Sequence, residues 1–327
     1  MSQYVKFSYR TYSTLESFFD EEPFVDEVPT MIQLDPGTLK AERWRLDFDD
    51  LIIQKHGVNL AINVAPVYGD GWLRAGLFTG PVDQECSWQG VSIKPGTLFI
   101  TPKGGGVFSI PAGYQDLTLI LSYPLMDALG IEKPDTWLGS DNLHRCFYDI
   151  PEPMGDNLEN LMDDLCQRYK LSSNSDWNAI IDPGHAAQIR IDLLRLLSDC
   201  LTRNVPNQTD SAPSKRFALV NRTIAHISAL EDSELAKLSI DDLSNQVAAS
   251  RKTLLRAFND VLGINPSKYL NNVKLAKAHA LINTGQHQIT QVGLKFGYSK
   301  PGYFAEQYQL LYGELPSQTL KRAKSGQ

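Results

Sequence analysis

The 327-residue sequence predicts an α+β chain: a strand-rich N-terminal body with trailing helices, then an all-α unit built from two short-helix pairs. Three observations predict it. Short β-type runs punctuated by Gly and Pro fill residues 41–122, a pattern expected of a sandwich or barrel. Beyond residue 215 the apolar residues recur instead at helical spacing. The charge divides at the same place: from Lys215 onward there are 15 Lys and Arg against 8 Asp and Glu, whereas residues 1–214 hold 16 against 30. The polar, two-proline stretch Val205–Ser214 reads as the linker, giving a body over 1–204 and a basic unit over 215–327.

Residues 1–40 are acidic, and Asp20-Glu21-Glu22-Pro23 through Asp26-Glu27 reads as a solvated segment. The strand runs follow: Trp44–Phe48, Leu51–Lys55, Val58–Ile62, Leu77–Thr79, Thr97–Ile100, Val107–Ile110 and Leu117–Leu121. Gly104-Gly105-Gly106 lies among strands with no Lys-Ser or Lys-Thr helix start behind it, so a hairpin is expected there rather than a phosphate loop. Residues 123–150 look irregular. Two helices are expected next. The first, over about 155–170, carries Leu158, Leu161, Met162 and Leu165. The second, over about 183–203, has Ala187, Ile191, Leu194, Leu197, Cys200 and Leu201 on one stripe, which serves either as a dimer seam or as packing against the strands.

A helix over about 217–230 opens the basic unit. Ser239 and Asp242 form a capping box before Ile240, Leu243 and Val247. Ser250 caps the next helix only three residues on, and so tight a turn makes the two helices cross steeply. In that second helix Leu254, Leu255, Phe258, Val261 and Leu262 make the inward stripe, leaving Arg251, Lys252, Arg256 and Asn259 open, and Gly263 stops it. The pattern repeats. A long helix starts at Pro266 and runs to about Asn283, with Tyr269, Leu270, Val273, Ala276, Ala280 and Leu281 inward. Ile289, Val292 and Phe296 mark a short helix, and Gly297 a turn. Pro301 opens a helix with Tyr303, Phe304, Tyr308 and Leu311 inward, and Gly313 and Pro316 close the unit.

Ser250, Leu254, Arg256, Phe258, Gly263, Pro266, Tyr269 and Ala278, then Gly297-Tyr298, Phe304, Tyr308, Gly313 and Pro316, together resemble the C-terminal domain of AraC/XylS-type transcriptional regulators. The resemblance spans about the last hundred residues. It implies two recognition helices on double-stranded DNA. The base-facing positions fall on Arg251, Lys252, Thr253 and Arg256 in the first and on Lys300, Pro301, Gly302, Tyr303 and Glu306 in the second. Many members carry a small polar residue where Gly302 stands and Arg where Glu306 stands, so the second helix is the weaker reader. Glu306 cannot pair with phosphate, although a carboxylate can accept from cytosine N4.

The turn-strand-turn Lys94-Pro95-Gly96-Thr97-Leu98-Phe99-Ile100-Thr101-Pro102 resembles a cupin-like β-barrel, an N-terminal fold many such regulators use. The resemblance implies a sensing and dimerisation body controlled by a small effector, RNA polymerase as a partner, an activator role and a homodimer. The strand aromatics Trp44, Trp72, Trp88, Phe99 and Phe108 either line an effector pocket or are plain core. The alternative is a cupin-type enzyme fused to a DNA-binding domain. Against it, only His56 lies among the strands, whereas a metallo-cupin resembles a His-x-His pair with a downstream carboxylate and His. No Ser-His-Asp order or nucleophile elbow supports hydrolysis. A regulator answering to a protein partner is the third class. No cofactor, metal or catalytic residue is expected. Cys86, Cys146, Cys166 and Cys200 lie apart with no CxxC, as reduced thiols of a cytoplasmic protein do. No apolar run nears the ~20 residues of a membrane span, and Met1-Ser2-Gln3-Tyr4 lacks the makings of a signal peptide.

Overall fold

The computed structural model describes residues 5–20, 22, 25–27, 31–81, 83–84, 86–88, 91–101, 106–130, 146–149, 152–169, 176–203 and 214–325. The body runs β1 (Val5–Tyr12), α1 (Leu15–Asp20), β2 (Val25–Glu27), β3 (Met31–Gln33), β4 (Ala41–Asp47), β5 (Leu51–Val58), β6 (Ile62–Val64) and β7 (Val67–Tyr68). It continues β8 (Trp72–Gly80), β9 (Cys86–Trp88), β10 (Val91–Ile93), β11 (Thr97–Thr101), β12 (Phe108–Ile110), β13 (Tyr114–Ser122), α2 (Tyr123–Leu129), β14 (Phe147–Asp149), α3 (Glu152–Tyr169), β15 (Trp177–Ile181) and α4 (Pro183–Arg203).

The strands form an eight-stranded sheet, β14-β11-β8-β13-β5-β4-β1-β15, a five-stranded sheet, β10-β9-β12-β6-β3, and the pair β2-β7. The expected cupin-like barrel is not confirmed: among the described residues no ladder joins the ends of either large sheet, and the two stack as layers. Alternation along each strand explains why. Leu51, Ile53, Leu73, Ala75, Leu117 and Leu119 face one way, and Met126 of α2, Met162 and Leu165 of α3, and Ile189 and Leu193 of α4 cover them. Val58, Phe78, Phe99 and Tyr114 face the other way and meet Ile62, Val64, Trp88 and Phe108 of the smaller sheet. Both faces of the large sheet are therefore buried, and its strands read as near-continuous apolar runs. Gly76 carries no side chain because a Cβ there would stand 2.4 Å from the Phe99 ring.

Several expectations change. The region expected to be irregular contains α2, capped by Ser122 and ended by Gly130 in the left-handed conformation. Residues 1–40, expected to be acidic and mixed, include β1, α1, β2 and β3, and Glu22 is half-buried and paired with Arg43 rather than solvated. In α4, Ala186, Ile189 and Leu193 are the buried face, so Ala187 and Ile191 of the expected stripe lie on the exposed side and Leu194 between them. The side chains of Leu158, Cys166, Leu197, Cys200 and Leu201, the glycines 104 and 105, and the linker 205–213 lie outside the described residues. Cys86 and Cys146 are buried, and among the described residues neither is in a disulfide.

The basic unit comprises α5 (Lys215–Ser228), α6 (Asp232–Lys237), α7 (Ile240–Gln246), α8 (Arg251–Leu262), α9 (Pro266–Asn283), α10 (Ile289–Lys295), α11 (Pro301–Tyr312) and α12 (Pro316–Lys324). The two short helices α6 and α12 go beyond the sequence reading. Leu255 and Tyr303, expected inward, are 43% and 51% exposed, and Ala280 is exposed too. Ala257 fills the inward place on α8 instead. Among the described residues no helix is long and apolar enough to cross a membrane.

Candidate functional site

The basic unit holds two copies of one device. In the first, the Ser239 hydroxyl accepts from Asp242 N and the Asp242 carboxylate accepts from Ser239 N, starting α7. The turn then doubles back through Ala248 at φ +51°, and Ala249 N donates to Ser244 O at 3.0 Å. Ser250 Oγ accepts from Thr253 N to start α8. In the second copy Gly297 takes the left-handed place at φ +87°, and Tyr298 N donates to Gly293 O at 2.9 Å. The recurring pairs Gly263 and Gly313, then Pro266 and Pro316, stop each second helix and start the next.

The first pair packs around Leu243, Val247, Leu254 and Phe258, the second around Val292, Phe296, Phe304 and Tyr308. The 18-residue α9 joins them, about 27 Å of rigid helix at 1.5 Å per residue. Its residues Tyr269 and Val273 belong to the first core, and Leu275, Ala278 and Ile282 to the second. Being buried on several sides, it has no single polar face, and Lys274 is drawn in to donate to Ala236 O. Burial pushes its ammonium down.

All the expected base-facing residues are exposed: Arg251, Lys252, Thr253 and Arg256 on α8, and Lys300, Pro301, Gly302, Tyr303 and Glu306 at the start of α11. Arg251 lies 3.2 Å from Asp241, an exposed pair worth little in water. The Thr253 hydroxyl is engaged with Ser250 Oγ at 2.8 Å, which ties it to the helix start. Lys252 and Arg256 make no ion pair among the described residues. Superposing the two copies by their stops sets Arg251, Lys252 and Arg256 against Pro301, Gly302 and Glu306. One second helix thus presents cations, and the other an aromatic ring and a carboxylate.

A second candidate site lies between the sheets of the body. Residues adjacent in register carry charge inward across three strands: Arg43 on β4 opposes His56 on β5, which opposes Asp116 on β13. His56 Nδ1 lies 2.7 Å from Asp116 Oδ1, and its Nε2 lies 3.4 Å from Glu22 Oε1 without hydrogen-bond geometry. Arg43 pairs with Glu22 at 2.9 Å, donates to the Tyr12 hydroxyl and the Phe18 carbonyl, and lies over both rings. Gln54 donates to Glu22, and Thr118 donates to Asp116. Burial would push the Glu22 and Asp116 carboxyls up, but Arg43, His56 and Arg74 outweigh it at Glu22, and His56, Arg74 and the Thr118 hydroxyl outweigh it at Asp116, holding both below the usual range. Burial would likewise lower His56, yet Asp116 and Glu22 hold it above its ordinary value.

Beside this cluster opens a small cavity of about 40 Å³, with Phe18, Phe19, Phe108 and Tyr114 as aromatic walls and Glu22, His56, Arg74 and Asp116 as the polar one. Of the five aromatics expected at an effector site, Phe108 lines it. Phe99 and Trp88 pack behind Phe108, with ring centroids 5.5 and 6.3 Å from it. Trp44 packs tilted against Tyr9 over the helix-covered face, and Trp72 covers Ile52 and Ile120 at the far end of the cavity's sheet face. The sequence reading missed the charged wall. Its signal was there: Arg43, Gln54, His56 and Asp116 share the strand parity of buried neighbours.

Comparison with known proteins bears on the basic unit. A family model described as a helix-turn-helix domain matches residues 243–322. The XylDLEGF operon transcriptional activator 3 of Pseudomonas putida is 30% identical over 131 residues, which is 39% of this chain and 38% of that protein. The transcriptional regulator ArgR of Pseudomonas aeruginosa is 28% identical over 89 residues, 27% of each chain. The chain thus spans about two fifths or less of the length of these curated relatives. Among solved structures, an AraC-type regulator from Chromobacterium violaceum is 27% identical, with TM-score 0.30, over 34% of this chain and 99% of that one. Residues 243–322 are a helix-turn-helix domain, similar in sequence to part of proteins named as transcriptional activators and regulators.

Proposed function

We propose that the chain is a sequence-specific, double-stranded-DNA-binding transcription regulator of the activator kind, working in the cytoplasm as a homodimer. The observation that carries this reading is the open face of α8, where Arg251, Lys252 and Arg256 stand exposed on a helix otherwise locked by its core. A guanidinium in the major groove can contact guanine at two points, and Lys and Arg neutralise phosphate. With α9 joining the pairs, α8 and α11 enter successive major-groove faces about one helical turn apart, ~34 Å. RNA polymerase is the partner such an activator recruits.

The body is the sensing half. A small effector with an apolar frame and a polar end suits the cavity, its frame against Phe18, Phe19 and Phe108 and its polar end on the His56–Glu22–Arg74 wall. The exposed Ile191 side of α4 supports the dimer seam. The test is selection of duplexes from a random-sequence pool by the full chain, followed by footprinting. Two protected half-sites about one turn apart are expected, and no enrichment over the starting pool refutes the reading.

A further inference from the structure

The body and the basic unit are not merely tethered. Among the described residues strand β3 is an edge strand, paired to β6, and its other side meets α9. Ile32 and Leu34 are buried in the core of the first helix pair, with Val220, Tyr269 and Val273. Asn272 Nδ2 donates to Gln33 O at 2.9 Å, and the buried Tyr269 hydroxyl donates to Asn63 Oδ1 at 3.2 Å.

The decisive contact is at the far end of α11. Leu311 lies in its last turn, where a carbonyl has no partner within the helix. Here the body supplies two: the Gln33 side-chain amide donates to Leu311 O at 2.7 Å, and Gly37 N donates to the same oxygen at 2.9 Å. The two N–H groups of that amide are shared among three acceptors, since the Asp35 and Gly37 carbonyls also lie 2.8 Å from Gln33 Nε2. The fit is tight, since a Cβ on Gly313 would stand 2.8 Å from Thr38 Oγ1. None of these contacts covers Arg251, Lys252, Arg256, Lys300, Gly302, Tyr303 or Glu306, all of which stay exposed. The clamp therefore does not shut the reading face; it grips the opposite end of the second reading helix.

We infer that the body caps α11 and sets its pose relative to α8, so that Gln33, remote from DNA, is a positioning residue for the half-site that α11 reads. This rests on the DNA-binding reading above. An unpositioned helix must be ordered at the moment of binding, and that cost appears as lost affinity. Because α11 offers no cation of its own beyond Lys300, correct pose matters more to it than to α8.

The test uses the full chain and a duplex enriched by the wild-type chain from a random pool, footprinted half-site by half-site. The half-site lost in Arg256→Ala identifies the α8 side. Gln33→Met keeps length and apolar bulk but removes both N–H groups. We expect protection of the α11 half-site to weaken ~3–10-fold, the worth of one or two hydrogen bonds, and the α8 half-site to hold within about twofold. A merely structural role would lower both halves together, and that result overturns the inference, as does no change at either half. Should Gln33→Met lose the tryptophan-fluorescence unfolding transition of the body, Gly37→Ala decides instead: at φ +135° an alanine strains that loop and draws its N–H off Leu311. The same half-site selectivity is expected there, and its absence is again fatal. If the wild-type chain enriches no duplex, the failure belongs to the DNA-binding reading and not to the clamp.

Discussion

The two turn residues Ala248 and Gly297 occupy matched places and both have positive φ, yet only one can be an alanine. A Cβ on Gly297 would stand 2.4 Å from the Ala236 carbonyl oxygen, which is backbone and is held by the Lys274 ammonium at 3.1 Å. Ala248 is exposed at its turn, and its methyl is accommodated. Gly297→Ala should therefore incur the left-handed penalty of an L-residue, ~1–2 kcal/mol, plus the overpacking of a backbone contact, ~1–3 kcal/mol. The expected loss is about 2–5 kcal/mol, a large share of a domain's ~5–15 kcal/mol. Ala248→Gly should be close to neutral, because relief of strain is offset by a freer unfolded chain. All five tryptophans precede residue 178. Fluorescence thus follows the body, while helical circular dichroism in urea follows the basic unit. The first signal should stay near wild type in Gly297→Ala and the second should shift to lower urea. A change under ~0.5 kcal/mol, within the range of an ordinary surface substitution, or equal losses in the two variants, would refute the reasoning.

Further outcomes follow from the same geometry. Arg256→Ala should cost ~1–3 kcal/mol of specific binding and relax one base pair, whereas Glu306→Arg should raise affinity for specific and random duplexes alike; loss of discrimination at a cytosine without that rise would make Glu306 a base reader. His279, pushed down by burial to about 4, is neutral in the fold and protonates more readily unfolded. Stability of the basic unit should thus fall as pH drops from about 6.5 toward 4, by up to ~3 kcal/mol. His56 has the opposite sense: its raised value gives stability that is fully present below about 6.5 and lost as pH rises through the folded value, while Glu22 and Asp116 lose theirs only below about 4. A body whose urea midpoint rises with pH above 6.5 contradicts the cluster. Ile191→Asp, on the exposed side of α4, should convert a sedimenting dimer to a folded monomer with weaker half-site occupancy; a wild-type chain that sediments as a monomer removes the seam.

How much of this was legible in the sequence depends on the range of the interactions. The capping residues Ser239 and Ser250, the stops at Gly263 and Gly313 and the starts at Pro266 and Pro301 are local chemistry, and the helices stand where those residues put them. The exposed row Arg251, Lys252 and Arg256 follows from the same periodicity. What was lost is non-local. Leu255 and Tyr303 look like core residues until the neighbouring helices are in place. Arg43, His56 and Asp116 come together only through strand register, and Glu22 joins them from a segment whose composition reads as solvated. The grip of Gln33 on Leu311 joins residues 278 positions apart, which no local pattern encodes. The layering of the two sheets is non-local as well: helix cover on one face of the large sheet is visible only once α2, α3 and α4 are packed.

Salt titration of binding tests the central claim most directly. The full chain is titrated onto its enriched duplex and onto a scrambled one across a range of salt concentrations. The account predicts that affinity for both falls steeply and linearly on logarithmic axes, because cations released from phosphate drive association. It also predicts that the enriched duplex stays ahead of the scrambled one by at least ~10³-fold, and that Lys252→Ala reduces the slope by about one phosphate contact. Binding that is flat in salt, or equal for the two duplexes, would contradict a sequence-reading role for α8 and α11.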